Sequence, residues 1–117
     1  MRNHKKLQVF ALADSLALRV YATTRKFPED ERYGLTSQIR RAAVSIAANI
    51  VEGAARPSDA DFRRLLIIAY SSARELEYEL SLATRLGYIS GKDSHALQEQ
   101  ASRTCRALYS LIQVIRS

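Results

Sequence analysis

Glycine and proline are scarce in this chain, with four and two copies in 117 residues. So few turn formers exclude a sandwich or barrel, which needs a turn signal roughly every 8–12 residues, and they leave room for long helices. The single cysteine, Cys105, excludes an internal disulfide and a multi-cysteine zinc site. Set among Arg103, Thr104, Arg106 and Ala107 in a helical pattern, it reads as a small, partly buried helix residue. Histidine is limited to His4 and His95, and neither has a glutamate three residues before it, so the Glu-x-x-His pattern of a di-iron bundle fails. No apolar run approaches the ~20 residues of a membrane span. The basic start, Met1 to Lys6, leads to Asp14 and Arg19 rather than to a signal core, so a cytoplasmic protein is expected. There is no Gly-x-Ser-x-Gly elbow, no family cysteine signature and no glycine-rich phosphate loop. A non-enzymatic protein without cofactor or metal is the expectation.

What is present is ordinary globular composition with a basic excess. Hydrophobic residues make up 47% and charged ones 26%, enough for one domain over residues 1–117 to bury a core without staples. The net charge is +6, carried largely by arginine, 14 against 4 lysines. Arginine's planar fork suits phosphates and carboxylates, so the excess points to RNA, DNA or an acidic protein as partner.

Hydrophobic spacing predicts four helices. Val9, Ala13, Leu16 and Val20 mark the first, over about 8–25, ended by Phe27-Pro28. Pro28 and the acids after it resemble a first helical turn. Leu35, Ile39, Ala43, Ile46 and Ile50 mark the second, from about Thr36 to Glu52, with Gly53 as its stop and Ser58 or Asp59 as the next cap. In the third, Phe62, Leu66, Ala69, Ala73, Leu76, Leu80, Ala83 and Gly87 keep a heptad register. Its stretch Leu65-Leu66-Ile67-Ile68-Ala69-Tyr70 is apolar all round, which predicts self-association through Leu65, Ile67, Ile68 and Tyr70. Asp93 is the expected cap of the fourth, with Leu97, Ala101, Thr104, Leu108, Leu111 and Ile115 as its seam. Short links then give an all-α, antiparallel, up-down-up-down four-helix bundle.

Two polar features remain. Gln38, Arg41, Ser45, Asn49 and Glu52 form one stripe along the second helix: a solvated face, an interhelical hydrogen-bond network that fixes register, or a docking surface. Glu75 and Glu79 share a face of the third helix and are expected to accept arginines from the second. The densest basic groupings are Arg40 and Arg41, and Arg56, Arg63 and Arg64 around the second connection. An antiparallel hairpin would gather Arg56, Arg63 and Arg64 near one end and place Arg40 and Arg41 nearer the other.

The stretch Gln38-Ile39-Arg40-Arg41-Ala42-Ala43-Val44-Ser45-Ile46, followed by Asn49-Ile50-Val51-Glu52-Gly53, resembles the signature of the four-helix-bundle proteins encoded by intervening sequences of bacterial large-subunit ribosomal RNA genes. Leu7-Gln8-Val9-Phe10, Glu31-Arg32-Tyr33-Gly34-Leu35, Ser72-Ala73-Arg74-Glu75-Leu76-Glu77 and Leu86-Gly87-Tyr88-Ile89 extend the match over nearly the whole chain. Ala47 stands where that family often has proline, and Ala54-Ala55 replaces its usual bulky-then-glycine pair. The resemblance implies a ring-like homo-oligomer, a pentamer, with Gln38, Arg41, Ser45, Asn49, Glu52, Gly53 and Glu75 as its motif. The family is also similar to the accessory proteins of diversity-generating retroelements, basic pentamers that bind nucleic acid and a reverse transcriptase. The function expected is therefore an oligomer that binds nucleic acid, RNA ahead of DNA, through Arg40, Arg41, Arg56, Arg63 and Arg64. The alternative is a scaffold for an acidic protein partner.

Overall fold

A computed structural model describes residues 1–115. Four helices follow one another: α1 (Gln8–Thr24), α2 (Leu35–Ala54), α3 (Asp59–Arg85) and α4 (Gly91–Val114), with short 3-10 turns at His4–Lys6 and Glu29–Glu31. The second of these turns is the helical step that Pro28 and its acids announce.

Pairings along each seam run in opposite directions. Between α2 and α3, Arg41 meets Glu75, Ser45 meets Ser72, and Gly53 lies against Phe62 and Leu65. Between α3 and α4, Arg63 meets Ile112, Tyr70 faces Tyr109 and Thr84 meets Ser94. Ser15 accepts from Gln100 across α1 and α4, Arg40 reaches Thr24 across α1 and α2, and the Arg2 N–H, in the segment leading into α1, reaches the Ala54 carbonyl at the end of α2. Each helix is thus antiparallel to both neighbours, an up-down-up-down four-helix bundle measuring 43 × 24 × 20 Å.

All four helices feed one core. The expected seam of α3 is buried from Phe62 to Ala83, as are Leu16, Ile39, Ile46, Ile50, Leu97 and Leu108. Each fully buried Leu, Ile or Phe contributes about 1.5–3 kcal/mol against exposure. In α4 the register turns slightly at its end: Ile112 is buried whereas Leu111 is only partly so. A strict seven-residue repeat drifts on a straight helix, which brings the neighbour of the expected residue inward.

The helix ends differ from expectation in two places. Gly53 does not stop α2, which continues through it to Ala54. A Cβ there would stand 3.1 Å from both Leu65 Cβ and the Phe62 ring, so the glycine lets α3 approach closely. Asp93 does not cap α4; Ser90 does, its Oγ accepting the Asp93 N–H at 3.5 Å while Asp93 sits in the first turn. Ser58 caps α3 in the same way, through the Asp61 N–H at 3.1 Å. Gly87 ends α3 with a φ of +82°, and the Tyr88 N–H bonds back to the Ala83 carbonyl at 2.9 Å.

Candidate nucleic-acid interface

The polar stripe of α2 faces α3. Arg41 donates to Glu75 Oε2 at 3.1 Å, and the Ser45 and Ser72 hydroxyls lie 2.9 Å apart. Asn49 Nδ2 donates to the Ser45 carbonyl at 2.8 Å and to its Oγ at 3.1 Å, and Glu52 pairs with Arg56 one turn on at 2.9 Å. These residues therefore include an interhelical hydrogen-bond network that sets the α2–α3 register. Gln38, at the near end of the stripe, is exposed.

Glu79 departs from expectation. Glu75 takes Arg41, but Glu79, one turn further, is 4% exposed and its Oε1 has no partner among the described residues. Burial pushes its carboxyl up to about 7, helped by the nearby carboxylate of Glu75, while Arg41 pulls the other way. On α3 it lies one turn beyond Glu75 and turned inward, toward the core.

The five arginines singled out in the sequence do not form one patch. Arg40 points toward α1, its Nε donating to Thr24 Oγ1 at 2.8 Å and its guanidinium lying 4.7 Å over the Tyr21 ring. Arg41 points toward α3, because successive helical residues diverge by about 100°. At the opposite end, Arg56 pairs with Glu52, Arg64 lies 3.9 Å from Asp61, and Arg63 donates to the Ile112 carbonyl at 3.3 Å. Arg63 thereby uses a cation to satisfy an orphan carbonyl near the end of α4.

Charge is nonetheless unevenly placed. At the end formed by the starts of α1 and α3, Arg2, Lys5, Lys6, Arg56, Arg63 and Arg64 stand against Glu52, Asp59 and Asp61. At the other end, Arg25, Lys26, Arg32, Arg40, Arg85 and Lys92 stand against Glu29, Asp30, Glu31 and Asp93. Along the waist, Arg19, Arg41, Arg74, Arg103 and Arg106 are balanced by Asp14, Glu75, Glu77, Glu79 and Glu99. The positive excess of the described residues thus sits at the two ends. Sequence reasoning passed over Arg25, Lys26 and Arg32, although they flank Phe27-Pro28 on both sides.

The apolar stretch of α3 divides. Leu65 is 3% exposed, covered by α2 at Gly53, and so belongs to the core rather than to an outer face. Ile67 and Ile68 are 40% and 39% exposed. Tyr70 is half-buried beside Tyr109, at 6.0 Å between ring centroids, and its hydroxyl accepts from Arg74 at 3.1 Å. These rings border a groove of about 530 Å³ between α3 and α4, with Cys105 at its floor. Burial pushes the Cys105 thiol up to about 12, with Glu77 adding to the effect, so the group stays protonated and unreactive at neutral pH. Among the described residues, no helix is long and apolar enough to cross a membrane, and no group of His, Cys, Asp and Glu could hold a metal ion.

Comparison with known proteins agrees with this picture. The family model described as 23S rRNA-intervening sequence protein matches residues 5–110. A crystal structure of a protein of unknown function from the S23 ribosomal protein family of Bacteroides thetaiotaomicron is 30% identical. It aligns over 91% of this chain and 96% of its own, with a TM-score of 0.82. Among curated proteins, none matches the chain.

Proposed function

Because this chain belongs to the 23S rRNA-intervening sequence protein family, we propose that it works as a non-enzymatic, cytoplasmic homo-oligomer, a pentamer, that binds nucleic acid, RNA in preference to DNA, through the arginine-bearing ends of its bundle. The family's tie to ribosomal RNA is one of gene position, so the reading rests on the molecule's own charge. The observation that carries it is the concentration of cations at both ends beside a neutral waist. Assembly multiplies the effect: +6 per chain becomes about +30 in five copies, enough for strong counterion-driven binding. The exposed Ile67 and Ile68 on that neutral waist supply apolar surface for contact between copies.

Binding to a structured RNA and a matched DNA duplex across a salt series tests this. A linear fall of log affinity with log salt, with RNA held more tightly, is the expected result. Absence of binding even at low salt would sink the reading and turn attention to an acidic protein partner. The double reversal Arg63→Glu with Arg64→Glu should weaken binding while light scattering still reports the oligomer.

A further inference from the structure

The end of α1, the connection from Phe27 to Arg32 and the first turns of α2 enclose an open cavity of about 540 Å³. It is lined by three arginines, Arg25, Arg32 and Arg40, and by Thr24 and Thr36, against one acidic residue, Glu29. Glu31 stands close by but is engaged elsewhere, accepting the Leu35 N–H at 3.2 Å and the Tyr88 hydroxyl at 2.8 Å. Of the arginines, Arg40 is the most firmly placed. Thr24 Oγ1 accepts its Nε–H while donating to the Val20 carbonyl at 2.8 Å, and the Tyr21 ring supports one face. Arg40 is half-buried and has no carboxylate partner among the described residues. A guanidinium fixed on one edge and one face keeps its remaining N–H donors for another acceptor, and partial burial makes an unpaired cation costly. Thr36 lies behind these donors, 7% exposed, with its hydroxyl buried and without a partner among the described residues, so its backbone rather than its hydroxyl borders the cavity at the start of α2. The first turn of α2 contributes partial positive charge at the same place.

Aromatic surface adjoins these donors. Tyr33 is 87% exposed with Arg32 lying 5.5 Å over its ring, and Tyr21 is partly exposed beside Arg40. Interleaved arginines and open rings suit an unpaired strand, whose phosphates take the cations and whose bases stack on the rings. We infer that this cavity binds a phosphate group of a single-stranded nucleic acid, with Arg40 as the fixed donor, Arg25 and Arg32 closing on the oxygens and Tyr33 stacking an adjacent base. The inference rests on the nucleic-acid reading above and assigns it a site at the end of the bundle opposite Arg56, Arg63 and Arg64.

NMR titration of the full chain with inorganic phosphate and, separately, with a short oligouridylate tests the inference. Both probes should shift the Arg40 Nε–H and the Thr36 amide, the oligonucleotide at the lower concentration. Arg40→Gln and Arg40→Lys should each lower oligonucleotide affinity about tenfold, since neither replacement offers the charged fork. Exposed Arg25→Gln with Arg32→Gln, which leaves the Thr24 contact intact, should act in the same direction. Glu29→Gln should tighten binding several-fold by removing the opposing charge. If the oligonucleotide binds but every one of these variants binds as the unaltered chain does, the inference falls while the wider reading stands. If phosphate alone shifts the two signals and the oligouridylate does not bind, the inference falls and the cavity is a site for free phosphate, while the wider reading is decided by the structured-RNA titration. If neither probe moves them, the cavity is not an anion site.

Discussion

Glu79 buries a carboxylate with one oxygen unpartnered among the described residues, and its effect on stability has a definite sign. Its carboxyl sits at about 7 in the fold against an ordinary 4.5. Between those values the folded chain keeps a proton that the unfolded chain has lost, so stability falls as pH rises from about 4.5 to about 7 and stays low above. Glu79→Gln should therefore change little at pH 4.5 and stabilise by about 2 kcal/mol at pH 8, a value discounted for residual solvation. Urea unfolding at the two pH values checks this; an advantage that does not grow with pH would contradict it. The position illustrates what can be read at this scale. In sequence Glu75 and Glu79 share a face and both are expected to take arginines of α2; Glu75 indeed finds Arg41. That its neighbour one turn on faces the core depends on how far α3 is rotated against α2, which no single residue encodes.

At the scale of elements, hydrophobic period carried most of the fold. The stripe of α2 and the heptad seam of α3 are buried as their spacing requires, because a 3.6-residue repeat leaves one face for the core. What the pattern missed lies where helices end or touch. Glycine after Glu52 reads as a stop, yet its missing Cβ serves close packing: α3 passes where a side chain would stand. Gly53→Ala sets a gain in helix propensity of about 1 kcal/mol against crowding that costs about 1–3 kcal/mol. Since Leu65 Cβ is held by its backbone, crowding should win by about 1 kcal/mol, read as a lower melting temperature. A more stable variant would show that α3 can retreat. Ser90 outcompeted Asp93 as a cap because the chain enters the helix at Gly91, two residues before the acid. Both residue types cap well, so the choice rests on the turn made by Gly87 and Tyr88.

For the whole molecule, the question is whether affinity follows net charge or its location. Arginine density in the sequence placed Arg56, Arg63 and Arg64 near one end and Arg40 and Arg41 nearer the other, but helix rotation sends Arg40 and Arg41 to different neighbours and ion pairs occupy Arg56 and Arg64. Lys5 and Lys6 at one end and Arg25 and Lys26 at the other were hidden because they are distant in sequence from the groupings they join. Two double reversals separate the possibilities. Arg63→Glu with Arg64→Glu and Arg19→Glu with Arg103→Glu change the formal charge equally, the first pair at an end and the second on the waist. If location governs, the end variant should lose more affinity and show a shallower salt dependence, by roughly one unit of log-log slope for each phosphate no longer neutralised. The waist variant should bind nearly as the unaltered chain does, because Arg19 reaches only Gln100 across the α1–α4 seam. Equal losses in the two variants would mean that the field of the assembled oligomer, rather than either end, holds the nucleic acid.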